Sequence, residues 1–284
     1  MIANTAVDTR CRLGEGPLWN PTDSRLYWVD ILDGNLHRYH PRTTDHEIVL
    51  TVETITGVTL QRDGSLLTFH EEGEIGRFSD GEITQRKVVV PDTGPTRFND
   101  VIADPAGRVF CGTMPTDQRG GDLFRIDPDG SVRTIETDVA IPNGMGFNKD
   151  LDTFYFTESE ANNIYAYHYD ELTGALSNRS VLIDTSDDHG VPDGLTIDAN
   201  GHLWSARYGG GCVIRYKPDG TEIERYPLNC ERPTSVCFGG EDRSRLFVST
   251  AGGTDREKFG SDAGALLTLD VDAIGGADYR SNLQ

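Results

Sequence analysis

The sequence is poor in lysine and in basic residues generally. Among its 284 residues, 46 are acidic and 26 are basic, and lysine occurs only at positions 87, 149, 217 and 258. The net charge of −20 argues against nucleic acid or an anionic membrane as a partner, because both are bound through basic surfaces. Such an acidic surface suits either a high-salt cytoplasm, where counterions screen the repulsion, or an ordinary acidic bacterial enzyme.

Signals for membrane insertion, secretion and disulfide formation are also lacking. No apolar run approaches the roughly 18 residues of a membrane-spanning helix, and the opening MIANTAVDTRCR does not have the layout of a signal peptide. The five cysteines are widely spaced and include no CxxC pair, which argues against a disulfide framework or a thiolate zinc site. We therefore predict a cytoplasmic protein with reduced cysteines.

Several familiar catalytic motifs are absent. The sequence has no GxSxG, HExxH, GxxxxGK[ST] or GxGxxG, so it gives no support to a serine hydrolase, a zinc protease, a P-loop enzyme or a dinucleotide-binding fold. Helical periodicity is not sustained anywhere along the chain.

A repeated unit runs through the whole sequence instead. Each copy has a short apolar strand, a turn rich in Asp, Gly, Pro or Asn, a second apolar strand, and in most copies a third and a plausible fourth strand. The copies begin 41 to 50 residues apart, at Glu15, Thr56, Asn99, Asn143, Asp193 and Ser235. A period in the low forties with about four strands is typical of a β-propeller blade.

The repeats predict an all-β fold: a six-bladed β-propeller of four-stranded antiparallel blades that spans residues 1–284 as a single domain. The last unit is short of one strand, and TAVDTRCR near the N-terminus belongs to no unit. We expect this N-terminal segment to close the ring as the outer strand of blade six. The alternative, two β-sandwich domains, requires a linker near residue 140, and no Pro-, Gly- or Ser-rich break occurs there.

The first residue of each repeat is a candidate site residue, because the first strand of a propeller blade lines the central channel. Rotational repetition aims all six residues at one axis. Glu15, Asp193 and the amide oxygen of Asn143 form a hard oxygen set suited to Ca²⁺, Mg²⁺ or Mn²⁺, with Zn²⁺ and Fe²⁺ also compatible. On this hypothesis, Asp193 serves both metal binding and proton transfer. The alternative is that these residues only form turns, where Asp, Asn and Gly are common.

Five motifs in a fixed order carry a family resemblance. They are LGEGPLW at 13–19, RFND at 97–100, GTM at 112–114, PNG at 142–144 and PDG at 192–194. With them, the chain resembles the SMP-30/gluconolactonase/regucalcin family over nearly its whole length. The resemblance implies a six-bladed propeller with one divalent cation, held by Glu15, Asn143 and Asp193. It also implies that Arg97 and Asn99 contact substrate hydroxyls, and that Asp117, in a shortened loop, faces the substrate.

The resemblance implies metal-dependent hydrolysis of a sugar lactone to the aldonic acid. The cation would polarise the lactone carbonyl, and Asp193 would act as the general base for water. The short loop at 114–121 favours small pentonolactones, and the protein is expected to be a monomer or a small homo-oligomer. Two alternatives remain open: an organophosphate (phosphotriester) hydrolase on the same scaffold, and a non-enzymatic calcium-binding propeller.

Overall fold

The computed structural model describes residues 3–90 and 96–284, apart from the side chain of Val88. Within these residues, the strands form six antiparallel sheets of four strands each, arranged in a ring. The regular structure described is β except for a short 3-10 helix, Arg256–Phe259. This architecture confirms the predicted six-bladed β-propeller.

The strands are numbered along the chain, and β1 (Asn4–Val7) precedes the first blade. Blade one contains β2 (Gly14–Asn20), β3 (Arg25–Asp30), β4 (Asn35–Tyr39) and β5 (His46–Thr51). Blade two contains β6 (Gly57–Leu60), β7 (Leu66–Phe69), β8 (Glu74–Ser79) and β9 (Glu82–Val88). Blade three contains β10 (Phe98–Ala103), β11 (Val109–Thr113), β12 (Gly121–Ile126) and β13 (Val132–Val139). Blade four contains β14 (Pro142–Phe147), β15 (Thr153–Glu158), β16 (Asn163–Asp170) and β17 (Ala175–Asp184). Blade five contains β18 (Val191–Ile197), β19 (Leu203–Tyr208), β20 (Cys212–Tyr216) and β21 (Glu222–Pro227). Blade six contains β22 (Pro233–Gly239), β23 (Arg245–Thr250) and β24 (Leu266–Asp270).

The turn between β18 and β19, Asp-Ala-Asn-Gly at 198–201, shows how the recurring Asp-x-x-Gly pattern ends one strand and starts the next. Oδ1 of Asp198 accepts hydrogen bonds from the backbone N–H groups of Asn200 and His202, both at 2.9 Å. Gly201 has φ +85°, a left-handed conformation that side chains with a Cβ rarely adopt. The local residues therefore specify a tight turn, and the antiparallel hairpin follows from it.

Ring closure uses the N-terminal strand as predicted. The strand order in the sixth sheet is β1-β24-β23-β22, so β1 is the outer strand of blade six. Asn4 and Thr5 pair with Thr268 and Leu267 of β24. The chain thus joins its first residues to its last blade, which covers an edge that would otherwise remain unpaired.

The hydrophobic core is divided among the interfaces between neighbouring blades. Between blades four and five, for example, Tyr155 and Ile164 pack with Leu195 and Ile214, all of them buried. Each sheet is covered on both faces by its neighbours, so apolar residues occur on both faces of the inner strands. Burial of this apolar surface stabilises the ring by roughly 25 cal/mol per Å².

The C-terminal segment crosses the opposite end of the channel from the predicted site residues. Ala199 donates a backbone hydrogen bond to Ile274 at 2.7 Å, and Ser281 donates one to Leu60 at 2.9 Å, so the segment links blades five and two. Above it, a cavity of about 450 Å³ is lined by the six inner strands and by residues 275–279.

All five cysteines are buried and unpaired. In the described part of the chain, no helix is both long and apolar enough to cross a bilayer.

Candidate functional site

The predicted site residues lie where the inner strands begin, at one end of the channel. Glu15, Asn99, Asn143 and Asp193 are contributed by blades one, three, four and five, and each is at most 7 % exposed. Residues separated by as many as 178 positions in sequence are thus close to a common axis. The repeat places them at equivalent positions, and the ring brings these positions together.

A β-bulge accompanies each of these four residues. The register between the inner strand and its partner shifts after Glu15, Phe98, Pro142 and Pro192 in blades one, three, four and five. Of the two blades whose inner strands carry none of the four, blade two has no such shift and blade six has one after Pro233. A bulge leaves extra residues outside the hydrogen-bonded ladder and bends the strand. Side chains at the bulge therefore point in directions that the regular alternation of a strand would not give them.

The bulge in blade three brings a further carboxylate, Asp100, to the site. Asp100 follows Asn99, lines the channel cavity and lies within electrostatic reach of Glu15 and Asp193. The equivalent positions in blades four and five are Gly144 and Gly194. The repeats predicted only the first residue of each unit as a site residue and so did not identify Asp100, which alternation along a regular strand would point away from the side on which Asn99 lies.

Glycine at these equivalent positions allows neighbouring blades to approach closely. A Cβ on Gly194 would lie 2.1 Å from Oγ of Ser235, and one on Gly144 would lie 2.5 Å from the backbone nitrogen of Leu195. No side chain fits at either position, so the strands that carry Asn143 and Asp193 are held in contact with the next blade.

Two amide side chains connect blades three and four. Nη1 of Arg97 donates to Oδ1 of Asn99 at 2.9 Å, and Nδ2 of Asn99 donates to the carbonyl oxygen of Pro142 at 2.8 Å. Nδ2 of Asn99 also donates to Oδ1 of Asn143 at 3.0 Å. Since the guanidinium only donates and the carbonyl only accepts, these contacts fix the orientation of the Asn99 amide.

The two carboxylates of the predicted metal set are poorly compensated. Oδ1 of Asp193 is buried and has no hydrogen-bond partner among the described residues. Oε2 of Glu15 accepts a hydrogen bond of 3.0 Å from the N–H of Gly16, whose φ of +53° is left-handed. Buried oxygen atoms of this kind carry a large desolvation penalty unless a donor or a cation meets them.

Burial raises the pKa of Glu15, Asp100 and Asp193, and repulsion from neighbouring carboxylates raises it further for Glu15 and Asp193. Burial, followed by the charge of Asp100, raises the pKa of Glu15 to about 8, and burial raises the pKa of Asp100 to about 7. The pKa of Asp193 is raised well above its ordinary value by burial and by the charges of Glu15 and Asp100. Arg97 opposes these effects, and burial lowers the pKa of its guanidinium. The protein alone thus disfavours the ionised cluster.

Asp117 occupies a different environment from the other predicted residues. It is exposed at the tip of a tight turn between Thr116 and Arg119, whose backbones form an isolated bridge. The structure does not bring it into the buried cluster, and its role remains a prediction.

A metal ion bound at this cluster would need an amide oxygen as well as carboxylate oxygens. Within residues 3–90 and 96–284, no three His, Cys, Asp or Glu side chains come together in an arrangement that could hold a metal ion. A cation at this site would therefore need the amide oxygen of Asn143 in addition to Glu15 and Asp193, a donor set that hard divalent ions accept.

Named relatives and a solved structure are similar to this chain over nearly its whole length. The chain is 53 % identical over 291 residues to Pentonolactonase XacC of Haloferax volcanii, covering 100 % of this chain and 99 % of that protein. It is 35 % identical over 279 residues to Regucalcin of Danio rerio, covering 95 % and 93 %. The solved structure of regucalcin from Agrobacterium tumefaciens, described as a calcium-binding protein, superposes with a TM-score of 0.89 at 27 % identity, covering 98 % of this chain and 96 % of that one.

Residues 13–252 match the model of the SMP-30/Gluconolactonase/LRE-like region. This match includes all the predicted site residues and covers most of the chain. The protein belongs to the SMP-30/gluconolactonase/LRE-like family.

Proposed function

We propose that the protein hydrolyses a sugar lactone to the corresponding aldonic acid and that the reaction depends on one divalent cation. The observation that carries the proposal is the burial of Glu15, Asn143 and Asp193 near the starts of their inner strands, with Oδ1 of Asp193 lacking a hydrogen-bond partner among the described residues. Family membership supports lactone hydrolysis, since one relative is named a pentonolactonase and the family a gluconolactonase family.

The residues fit a divalent cation. Two buried carboxylates lie close enough for the charge of Glu15 to raise the pKa of Asp193, and a positive ion would remove that repulsion. Glu15, Asn143 and Asp193 would hold the ion through oxygen atoms, which suits Ca²⁺, Mg²⁺ or Mn²⁺ and leaves Zn²⁺ and Fe²⁺ compatible. The regucalcin relatives favour a divalent metal and leave its identity open.

The reaction adds water across the ester bond of the lactone ring. When bound, the cation supplies Lewis-acid polarisation of the lactone carbonyl. Asp193 accepts a proton from the water molecule as its oxygen bonds to the carbonyl carbon. The bond from that carbon to the ring oxygen then breaks, and Asp193 returns the proton to the ring oxygen, which becomes a hydroxyl group. The product is the hydroxy acid, and no covalent enzyme intermediate is needed.

Arg97 and Asn99 are proposed to position the substrate. Nη1 of Arg97 donates hydrogen bonds to the carbonyl of Phe98 and to Asn99, both at 2.9 Å. Its Nε and Nη2 make no hydrogen bond within residues 3–90 and 96–284, and we assign them to substrate hydroxyls. A fixed donor of this kind sets the angle at which water meets the carbonyl. The short loop at 114–121 and the name of the Haloferax relative both favour a pentonolactone.

A second candidate is a calcium-binding protein without catalytic turnover. The hard oxygen donors favour it, and so does the similarity to regucalcin, described in one solved structure as a calcium-binding protein. Both candidates require the same ion, so metal binding alone does not separate them.

An assay of acid release distinguishes the lactone hydrolase from the calcium-binding protein. The substrates are a panel of xylono-, arabino-, glucono- and galactonolactones. We expect turnover above the spontaneous rate, lost when the metal is chelated and restored when it is added back. Asp193→Asn is expected to lower kcat by about 10²- to 10⁴-fold, the usual contribution of a general base. Asp187→Asn, an exposed acid in the preceding loop, serves as the matched control and should retain full activity. Tight Ca²⁺ binding without turnover of any lactone would favour the binding protein.

A further inference from the structure

Ser159 lies behind the predicted metal ligands and connects three parts of the chain. It follows β15, is 2 % exposed, and donates a backbone hydrogen bond to the carbonyl of Ile141 at 3.1 Å. Its hydroxyl oxygen lies 2.9 Å from Nδ2 of Asn143 and 2.7 Å from the carbonyl oxygen of Pro192. The hydroxyl thus joins the amide of the predicted ligand Asn143 to the peptide that precedes another predicted ligand, Asp193.

The direction of these hydrogen bonds follows from the chemistry of the three groups. The carbonyl of Pro192 can only accept, so the single hydroxyl proton of Ser159 points toward it. The hydroxyl oxygen must then accept from Asn143, and the Asn143 atom that faces it must be the nitrogen. The amide oxygen of Asn143 is consequently the atom that faces Asn99 and the channel.

Asn99 imposes the same orientation from the other side. Its Nδ2 is directed by the carbonyl of Pro142 and reaches Oδ1 of Asn143 as a donor. A rotation of the Asn143 amide by 180° would place two N–H donors against each other at Asn99 and two acceptors against each other at Ser159. Each mismatch leaves a buried polar group unsatisfied, at about 1–3 kcal/mol apiece.

We propose that Ser159 is a positioning residue, which keeps the oxygen of the Asn143 amide, and not its nitrogen, directed at the cation. This inference rests on the proposed function, because it assumes that the ion lies at the hub. It assigns a role to a residue outside the predicted set of metal ligands. The role is chemical and not only steric, since an amide presents a ligand atom on one side and a repelling N–H on the other.

Mn²⁺ binding to the 284-residue protein tests the proposal directly. Electron paramagnetic resonance measures the Mn²⁺ that remains free in solution. Ser159→Ala is expected to weaken Mn²⁺ binding by about 10- to 100-fold, the usual effect of removing a group that orients a ligand. Ser205→Ala, which removes the hydroxyl of another fully buried serine, in β19, should bind Mn²⁺ as the wild type does. With saturating Mn²⁺, Ser159→Ala should recover most of its kcat.

A double-variant comparison distinguishes orientation from simple loss of packing. An aspartate at position 143 presents an oxygen in both orientations, so in the Asn143→Asp background Ser159→Ala should change Mn²⁺ affinity less than about threefold. An equal loss in both backgrounds would show a packing effect and overturn the proposal, as would unchanged affinity in Ser159→Ala alone. If Ser159→Ala does not fold, Ser159→Cys, whose sulfur is a weaker acceptor, provides the same comparison.

Mn²⁺ binding and lactone turnover of the wild-type protein distinguish failure of this inference from failure of the proposed function. Mn²⁺ binding without lactone turnover would contradict the hydrolase, and the comparison of variants would still decide the role of Ser159. A wild-type protein that binds neither Mn²⁺ nor Ca²⁺ would overturn both.

Discussion

Asn99 donates a hydrogen bond of 3.0 Å from Nδ2 to Oδ1 of Asn143, across the interface between blades three and four. The same nitrogen donates to the carbonyl of Pro142. One amide therefore satisfies two acceptors beside the predicted metal ligands, and it does so only because it carries two N–H groups.

Asn99→Asp is expected to destabilise the metal-free protein. The substitution keeps the shape of the side chain but removes both donors, so Pro142 loses its partner and a carboxylate oxygen faces Asn143. A loss of about 1–3 kcal/mol in the free energy of unfolding is expected for the unsatisfied acceptor. Chemical denaturation with a chelator present measures it. Asn200→Asp, at an exposed turn, is the control and should change stability by less than about 0.5 kcal/mol.

Asp193→Asn should make the metal-free protein more stable although it lowers kcat. Asp193 is buried, its Oδ1 has no partner in the described chain, and Glu15 and Asp100 repel it. Removing that charge is expected to raise the free energy of unfolding by about 1–2 kcal/mol in chelator, and the melting temperature by a few degrees. An unchanged or lower melting temperature would contradict the proposed electrostatic conflict.

Asp104 provides a contrast, because it is equally buried but paired. Its carboxylate accepts hydrogen bonds from Arg108 and, at 2.9 Å, from the hydroxyl of Tyr169. Asp104→Asn should therefore destabilise the protein by about 3 kcal/mol, since it leaves the Arg108 guanidinium buried without its counter-charge. Asp193→Asn and Asp104→Asn are thus expected to change stability in opposite directions. Both aspartates are buried, and the difference comes from their partners.

A pair of histidines in blade one predicts loss of stability in mild acid. Nδ1 of His37 lies 3.0 Å from Nε2 of His46, and both rings stack with Trp28. Burial and the neighbouring His46 lower the pKa of His37 to about 4. The Cys11 thiol, whose pKa burial raises to about 12, faces the same ring and stays neutral.

Because the pKa of His37 is lowered in the folded protein, acid reduces its stability. Well above pH 6.5, neither the folded nor the unfolded chain protonates this histidine, and its contribution to stability is complete. As the pH falls from 6.5 toward 4, the unfolded chain takes up a proton that the folded chain excludes, so stability falls, by at most about 3 kcal/mol. Urea titrations at pH 7 and pH 5 should show a smaller difference for His37→Gln than for the wild type. Equal differences would rule His37 out as the cause.

Gly144→Ala should separate blades four and five. A Cβ there would meet backbone atoms of Leu195, Asp193 and Gly194 at 2.5, 2.6 and 2.8 Å, and backbone cannot move aside without shifting Asp193. Losses of about 3 kcal/mol in stability and of most lactonase activity are expected. Gly57→Ala, at the equivalent position of blade two, meets first a side-chain methyl group of Val101 at 3.0 Å and should cost less.

The acidic surface predicts that salt stabilises the fold. With a net charge of −20, repulsion among surface carboxylates opposes folding, and the Debye length falls from about 10 Å at 0.1 M to about 3 Å at 1 M salt. We expect the melting temperature to rise between 0.1 M and 2 M KCl. Full stability in dilute buffer would instead indicate an ordinary acidic enzyme.

The amino-acid sequence alone predicted the blades and the ring closure. Each repeat contains its own strands and turns, and local patterns such as the one at Asp198 and Gly201 encode them within a few residues. The missing strand of the sixth repeat and the unassigned strand before the first predicted where β1 pairs. Periodicity also predicted that Glu15, Asn143 and Asp193 occupy equivalent positions.

The tertiary structure decided how these side chains meet. Bulges redirect the start of the inner strands, and this brought Asp100 to the hub although strand alternation gave no indication of it. Ser159 reaches Asn143 and Pro192 from the end of a second strand, a contact that no repeat position specifies. Asp117 lies on an exposed turn, because its loop is set by local pairing of Thr116 with Arg119. Repetition in sequence fixes which residues are equivalent, whereas contacts between blades fix the distances and hydrogen bonds among them.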